Sequence, residues 1–152
     1  MIIRTKGDIN MLREAVKERI NIIENVSDWK EAITLTAKPL VEDGSVESSY
    51  IDAMIENVKK FGTYIVIAPK VAMPHSRPED GVNKNCVSVL KINQGVIFEG
   101  EDEKVHLFFV IGAVNNESHI ETLMELMELI ENEEKIEEII KAETVQKIME
   151  LI

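Results

Sequence analysis

His75 and Arg77 stand two positions apart in the run Pro74-His75-Ser76-Arg77-Pro78-Glu79-Asp80-Gly81-Val82, and this pair is the part of the chain best equipped for chemistry. A neutral imidazole attacks through one nitrogen when a hydrogen bond holds the proton on the other. A guanidinium offers a planar fork of donors to a dianionic phosphoryl group. Ring angle and tautomer both need stiff backbone. Pro74 and Pro78 supply it, because each fixes its own φ near about −65° and biases the preceding residue away from helix. The combination suits phosphoryl transfer. Plainer uses compete: His75 as a loop histidine bonding a carbonyl, Arg77 as a surface partner of Glu79 or Asp80, and Ser76 as either a hydroxyl donor or a residue facing water.

His119 is the second candidate. It follows the turn-like Asn115-Asn116-Glu117-Ser118 and opens a helix, where unpaired N–H groups and the positive end of the helix dipole gather. If the two loops meet, His119 can donate to a phosphoryl group on His75 or orient its ring; otherwise it is a partly exposed histidine at a helix start. No H-E-x-x-H spacing occurs and two scattered histidines make a poor ligand set, so no metal is expected. His106 reads as a strand-end residue without chemistry. Cys86 lacks a Cys-x-x-Cys partner and reads as a small buried hydrophobe. Neither a Walker A motif nor G-x-G-x-x-G is present, so no cofactor is expected.

The elements that must hold these residues follow from periodicity. Asp8 can cap a first helix carrying Leu12, Val16, Ile20 and Ile23 at helical spacing. A second, from Ser27 or Asp28, puts Trp29, Ala32, Ile33 and Thr36 on one side, with Pro39 expected to end or kink it. A third runs from Ser48 to Lys60 and stops at Gly62. Tyr64 to Ala68 is a short, β-branched apolar run, read as a buried strand. Cys86 to Ile92 is a second strand, closed by a turn at Asn93-Gln94-Gly95, and Val105 to Ala113 a third. From Glu117 onward the chain is helical, with stripes at Ile120, Leu123, Met124, Met127 and Ile130, at Ile136, Ile139 and Ile140, and at Val145, Ile148, Met149 and Ile152. Helices, then strands, then helices predict an α/β layered domain with a mixed sheet.

Composition narrows the function. The chain has 152 residues, about one domain by the usual prior of roughly 100–200. A hydrophobic fraction of 45% can fill a sizeable core. With 17 basic and 28 acidic residues the net charge is −11, which repels a phosphate backbone, and aromatics at 5% make a poor stacking platform. No nucleic-acid partner is expected; acidity favours basic patches on other proteins. No run of 18 apolar residues spans a bilayer, the stretch Met1 to Met11 lacks the apolar core of a secretory signal, and a single cysteine forms no internal disulfide. A reduced, cytoplasmic protein is expected.

At these residues the chain resembles the enzyme IIA components of the bacterial phosphoenolpyruvate-dependent sugar phosphotransferase system, of the mannitol/fructose type. The family pattern, a strand followed by A-P-G-V-A-I-P-H-A-R-P, stands here as Ala68-Pro69-Lys70-Val71-Ala72-Met73-Pro74-His75-Ser76-Arg77-Pro78. Asn116-Glu117-Ser118-His119-Ile120 matches its second element, and the Trp29-Lys-Glu-Ala and Tyr50-Ile-Asp-Ala-Met segments extend the likeness over nearly all of residues 1–152, taken as one domain. The block through Glu79-Asp80-Gly81-Val82 is most similar to the ascorbate-type branch. The resemblance implies a three-layer α/β/α sandwich around a mixed β-sheet. It implies that His75 takes a phosphoryl group from the carrier protein HPr and passes it to a cysteine of an enzyme IIB, which serves a membrane enzyme IIC. It also makes His119 the supporting histidine. The role of Arg77 is an inference, and a homodimer is left open. Lys70 replaces a common glycine at a position that favours positive φ, and Ser76 replaces the usual alanine. A free-standing regulatory module, whose docking depends on phosphate at His75, is the alternative reading.

Overall fold

The computed structural model describes residues 11–115 and 117–152. Among these, strands β1 (Ile20–Ile23), β2 (Val66–Ala68), β3 (Val71–Ala72), β4 (Cys86–Val96) and β5 (Val105–Gly112) form one sheet in the order β1-β4-β5-β3-β2. The pairs β1–β4 and β3–β5 are parallel, whereas β4–β5 and β2–β3 are antiparallel. The sheet is therefore mixed, as expected.

Alternation along the central strands builds two cores. Leu90, Ile92, Phe108 and Val110 face helices α2 (Trp29–Glu42) and α3 (Ser48–Phe61), meeting Ala32, Ile33, Leu40, Tyr50 and Met54. Val87, Val89, Leu107, Phe109 and Ile111 face the other way. They meet Leu12 and Val16 of α1 (Met11–Val16), Leu126 and Ile130 of α4 (Ile120–Glu131), Ile139 of α5 (Glu133–Lys141) and Ile148 of α6 (Val145–Leu151). A central strand buried on both faces reads as continuous apolar sequence, which is why Leu107 to Ile111 shows no alternation. Three layers result. Two buried residues of β4 are polar: Ser88 donates to the Thr36 carbonyl, and the Lys91 ammonium donates to the Ala142 carbonyl just past α5, pairing an acceptor that the helix end leaves open.

Several expectations need correction. Ile20 and Ile23 are not helical. The helix stops at Val16, Lys17 turns into left-handed backbone at φ 52°, and Ile20–Ile23 pairs with Val89–Ile92 along the edge of β4. Helical spacing continued by coincidence through a β-branched run that β4 could hydrogen-bond. A strand therefore precedes α2, so strands and helices interleave. Asp8 and Asn116 lie outside the described residues.

Pro39 does not end α2. It sits inside the last turn, where it removes one hydrogen bond, while Ala37 and Leu40 on either side are fully buried and hold the turn in place. The Asp28 side chain caps the start of α2, as expected, and α3 ends at Gly62 with φ 86°.

The strand read at Tyr64–Ala68 shrinks to Val66–Ala68, a half-buried edge strand with Tyr64 exposed outside it. Val71–Ala72, assigned to no element by pattern, pairs with Leu107–Phe108 as β3. The turn placed at Asn93-Gln94-Gly95 lies within β4, which runs on to Val96 through an irregular pairing with β5. On α4 the inward face is Leu126, Leu129 and Ile130; Ile120 and Met124 point to solvent, as does Val145 on α6.

Candidate functional site

β3 runs parallel to β5, so the chain leaving Ala72 is delivered to the carboxyl end of β5, the end where open α/β sheets hold ligands. There the Pro74 carbonyl accepts from Ile111 N at 3.2 Å. His75 follows, half-buried, with Nδ1 2.8 Å from the Met73 carbonyl. A carbonyl only accepts, so the proton resides on Nδ1 and the lone pair of Nε2 is left for attack. Tyr64 stands edge-on to the ring, centroids 5.8 Å apart at 87°. Pinned tautomer and open Nε2 are what a phosphorus nucleophile requires.

Ser76 is tied at both its backbone and its side chain. Its N–H donates to the Tyr50 hydroxyl at 2.9 Å, and that hydroxyl donates to the Ile111 carbonyl at 2.5 Å. The Ser76 hydroxyl donates to Asp80 Oδ2 at 2.5 Å and accepts from Asn57 Nδ2 at 3.0 Å. Its one proton is thus engaged by Asp80 rather than offered to a phosphoryl group. The Ser76 hydroxyl bond holds the Asp80 carboxyl below its ordinary value; desolvation opposes this, and the bonds from Arg77 add to it.

Arg77 caps the 3-10 turn Pro78–Asp80. Its exposed guanidinium lies 3.6 Å from Glu79 and 3.4 Å from Asp80. The surface pairing weighed for Arg77 is the arrangement observed.

His119 is the residue before α4, and its loop is tied to the start of β4 by Asn85, whose side chain bonds the Ser118 hydroxyl at 2.8 Å and Val114 N at 2.8 Å. His119 lines a small cavity there together with Asn85, Cys86, Val87, Ile111 and Thr122. Nδ1 is enclosed there with no partner, whereas Nε2 is not enclosed. Burying a bare lone pair costs less than burying an unpaired N–H, so the tautomer with hydrogen on Nε2 is favoured and Nε2 becomes a donor. Both histidines thus gather at the Ile111–Gly112 end of β5.

The sequence reading missed Tyr50, Asn57 and Asp80 as site residues. A signal existed for two of them: Tyr50, Met54 and Asn57 share the inward stripe of α3, and a polar group on such a stripe calls for a partner. His106 lies outside the site, with Nδ1 3.1 Å from the Ile92 carbonyl. Cys86 is buried, and burial pushes its thiol up to about 11, the opposite of a reactive thiolate. Lys70 does adopt positive φ, 70°, and its ammonium pairs with Glu137 at 3.2 Å. Among the described residues no group of three His, Cys, Asp or Glu could hold a metal ion, and no helix is long and apolar enough to cross a membrane.

A mixed sheet with helices on both faces, and two histidines at one strand end, is the framework of a phosphoryl carrier domain. Residues 15–152 match the family model described as phosphoenolpyruvate-dependent sugar phosphotransferase system, EIIA 2, and the chain belongs to that family. It is a phosphotransferase component with a phosphocarrier role in sugar uptake. The mannitol-specific cryptic enzyme IIA component of Escherichia coli is 35% identical over 88% of this chain and 90% of its own length. The solution structure of that protein matches with a TM-score of 0.88 at 32% identity, covering 93% of this chain and 97% of its own. The ascorbate-specific EIIA component of Escherichia coli is 33% identical over 93% of this chain and 94% of its own length. Enzyme IIA for mannitol, solved in complex with phosphorylated enzyme IIB from Escherichia coli, matches with a TM-score of 0.76 at 29% identity over 89% of this chain and 94% of that one.

Proposed function

We propose that His75 is the phosphoryl acceptor of this carrier. The observation that carries the reading is the Nδ1 bond to the Met73 carbonyl, which leaves Nε2 unprotonated and open. In acceptance, the Nε2 lone pair forms a bond to the phosphorus of the phosphohistidine of HPr. The donor's P–N bond breaks, and its electron pair returns to the donor ring. The proton stays on Nδ1, where the carbonyl stabilises the positive charge of the phosphorylated imidazole. In the second step a cysteine thiolate of enzyme IIB takes the group and His75 recovers its lone pair. The solved complex of the mannitol relative with phosphorylated enzyme IIB supports this choice of acceptor.

His119, through Nε2–H, donates to a phosphoryl oxygen, and Arg77 adds charge once it leaves Glu79 and Asp80. Catalysis is then mainly positioning and preorganised charge, with no metal. The carrier works in the cytoplasm. The acceptor named first is an ascorbate-type enzyme IIB, on the block Pro74 to Val82. The test is incubation with phosphoenolpyruvate, enzyme I and HPr, then mass spectrometry for an acid-labile adduct. The expected result is one phosphoryl group on His75, drained by addition of the matching enzyme IIB. An adduct retained by His75→Ala overturns the assignment.

A further inference from the structure

His75 is suspended between two ties to a single residue. On one side the Pro74 carbonyl accepts from Ile111 N; on the other, Ser76 N–H reaches the Ile111 carbonyl through the Tyr50 hydroxyl. Direct pairing with β5 ends at Pro74, and the hydroxyl replaces the next bond of the ladder. Only a group that accepts and donates at one atom can do this, because the two ends are an N–H and a C=O. Tyr50 is fully buried in the core under α3, so its ring is fixed by packing. Desolvation raises its pKa, so the phenol keeps the proton it must donate.

We propose that Tyr50 is a positioning residue for phosphoryl transfer, the buried hydroxyl that aligns the loop so that His75 holds one tautomer and presents Nε2. The inference rests on His75 being the acceptor. The substitution is Tyr50→Phe, which keeps the ring and removes the bridge. Ser76 N–H and the Ile111 carbonyl then lose their partner, and the backbone carrying His75 relaxes away from β5.

The expected result is a fall in kcat for phosphoryl transfer from HPr of roughly tenfold or more, with KM changed less than about twofold, because the loss is of alignment rather than docking. The nitrogen shifts of the His75 ring should move from a single Nδ1–H tautomer toward a mixture. Ile33→Val, a mild change in the same core, serves as the control and should leave both readouts alone. Tyr50→Phe with wild-type kcat and unchanged ring shifts overturns the proposal; so does an equal loss in the control. If Tyr50→Phe does not fold, hydrogen exchange of the Ser76 amide in the unaltered protein decides: protection supports the bridge, and exchange at the rate of an open amide refutes it. A wild-type protein that takes no phosphoryl group sinks the acceptor assignment, while ring shifts and Ser76 protection still judge the bridge.

Discussion

Strand β5 has a histidine at each end, and both rings set Nδ1 against a backbone carbonyl: His75 on Met73 at 2.8 Å and His106 on Ile92 at 3.1 Å. The local bond is the same; the surroundings are not. At the Val105 end the His106 ring lies flat on Gly95, so close that a Cβ there would come within 2.8 Å of Cε1. The ring plugs the irregular stretch of β4. At the Gly112 end two connections converge, the loop after β3 and the loop before α4, and each brings a histidine. A carbonyl-bound imidazole is thus not a site in itself. What sets His75 apart is its place, where the parallel strands β3 and β5 bring their carboxyl ends together.

The contrast makes graded predictions. The largest concerns the two rings themselves: His75→Ala should lose all phosphoryl acceptance while His106→Ala accepts at close to the wild-type rate, as read by the acid-labile adduct. Equal loss in both would erase the distinction between the two ends. Next, His119→Ala should slow transfer by a factor on the order of 10², the usual cost of one donor to developing charge. Rates within twofold of wild type would make it a structural histidine.

At the other end, Gly95→Ala should destabilise the fold by about 1–3 kcal/mol in denaturant titration with transfer intact, since the methyl meets the His106 ring at a backbone φ of 70°. The pH dependence belongs to the Asp80 side. Its pKa is lowered in the folded state, chiefly by the Ser76 bond, so its contribution is present above the ordinary carboxylate range and is lost as pH falls through the depressed folded value. Asp80→Asn should therefore lose less stability on acidification than the wild type, measured by unfolding from neutral to acid pH. The smallest effect is expected for Lys70→Gly. It relieves a left-handed residue worth about 1 kcal/mol and gives up an exposed ion pair worth less, for a net gain of about 0.5 kcal/mol in thermal melts.

Much of the scaffold could be read from local pattern. Asp28 before α2, Gly62 after α3 and the unbroken apolar run Leu107 to Ile111 each announce an element through their own chemistry. Ile20–Ile23 could not be placed that way, because its β-branched residues fit both periods and only the open edge of β4 decided between them. β3 is two residues long and has no period at all. Pro39 did not end α2, because burial of its neighbours outweighed one lost hydrogen bond.

The candidate site divides along the same line. Residue type and proline spacing marked His75 as a candidate nucleophile and a helix start marked His119 as a second candidate, since both are local properties of the chain; the pairing of the two came from the family resemblance. The proton of His75 is placed by a carbonyl only two residues away, on Met73, but what holds Ser76 depended on partners far away in sequence: Tyr50 is 26 residues from Ser76 and 61 from Ile111. Hydrogen bonds closed across such distances form only once the sheet and α3 have packed, and no window of sequence contains both ends of them.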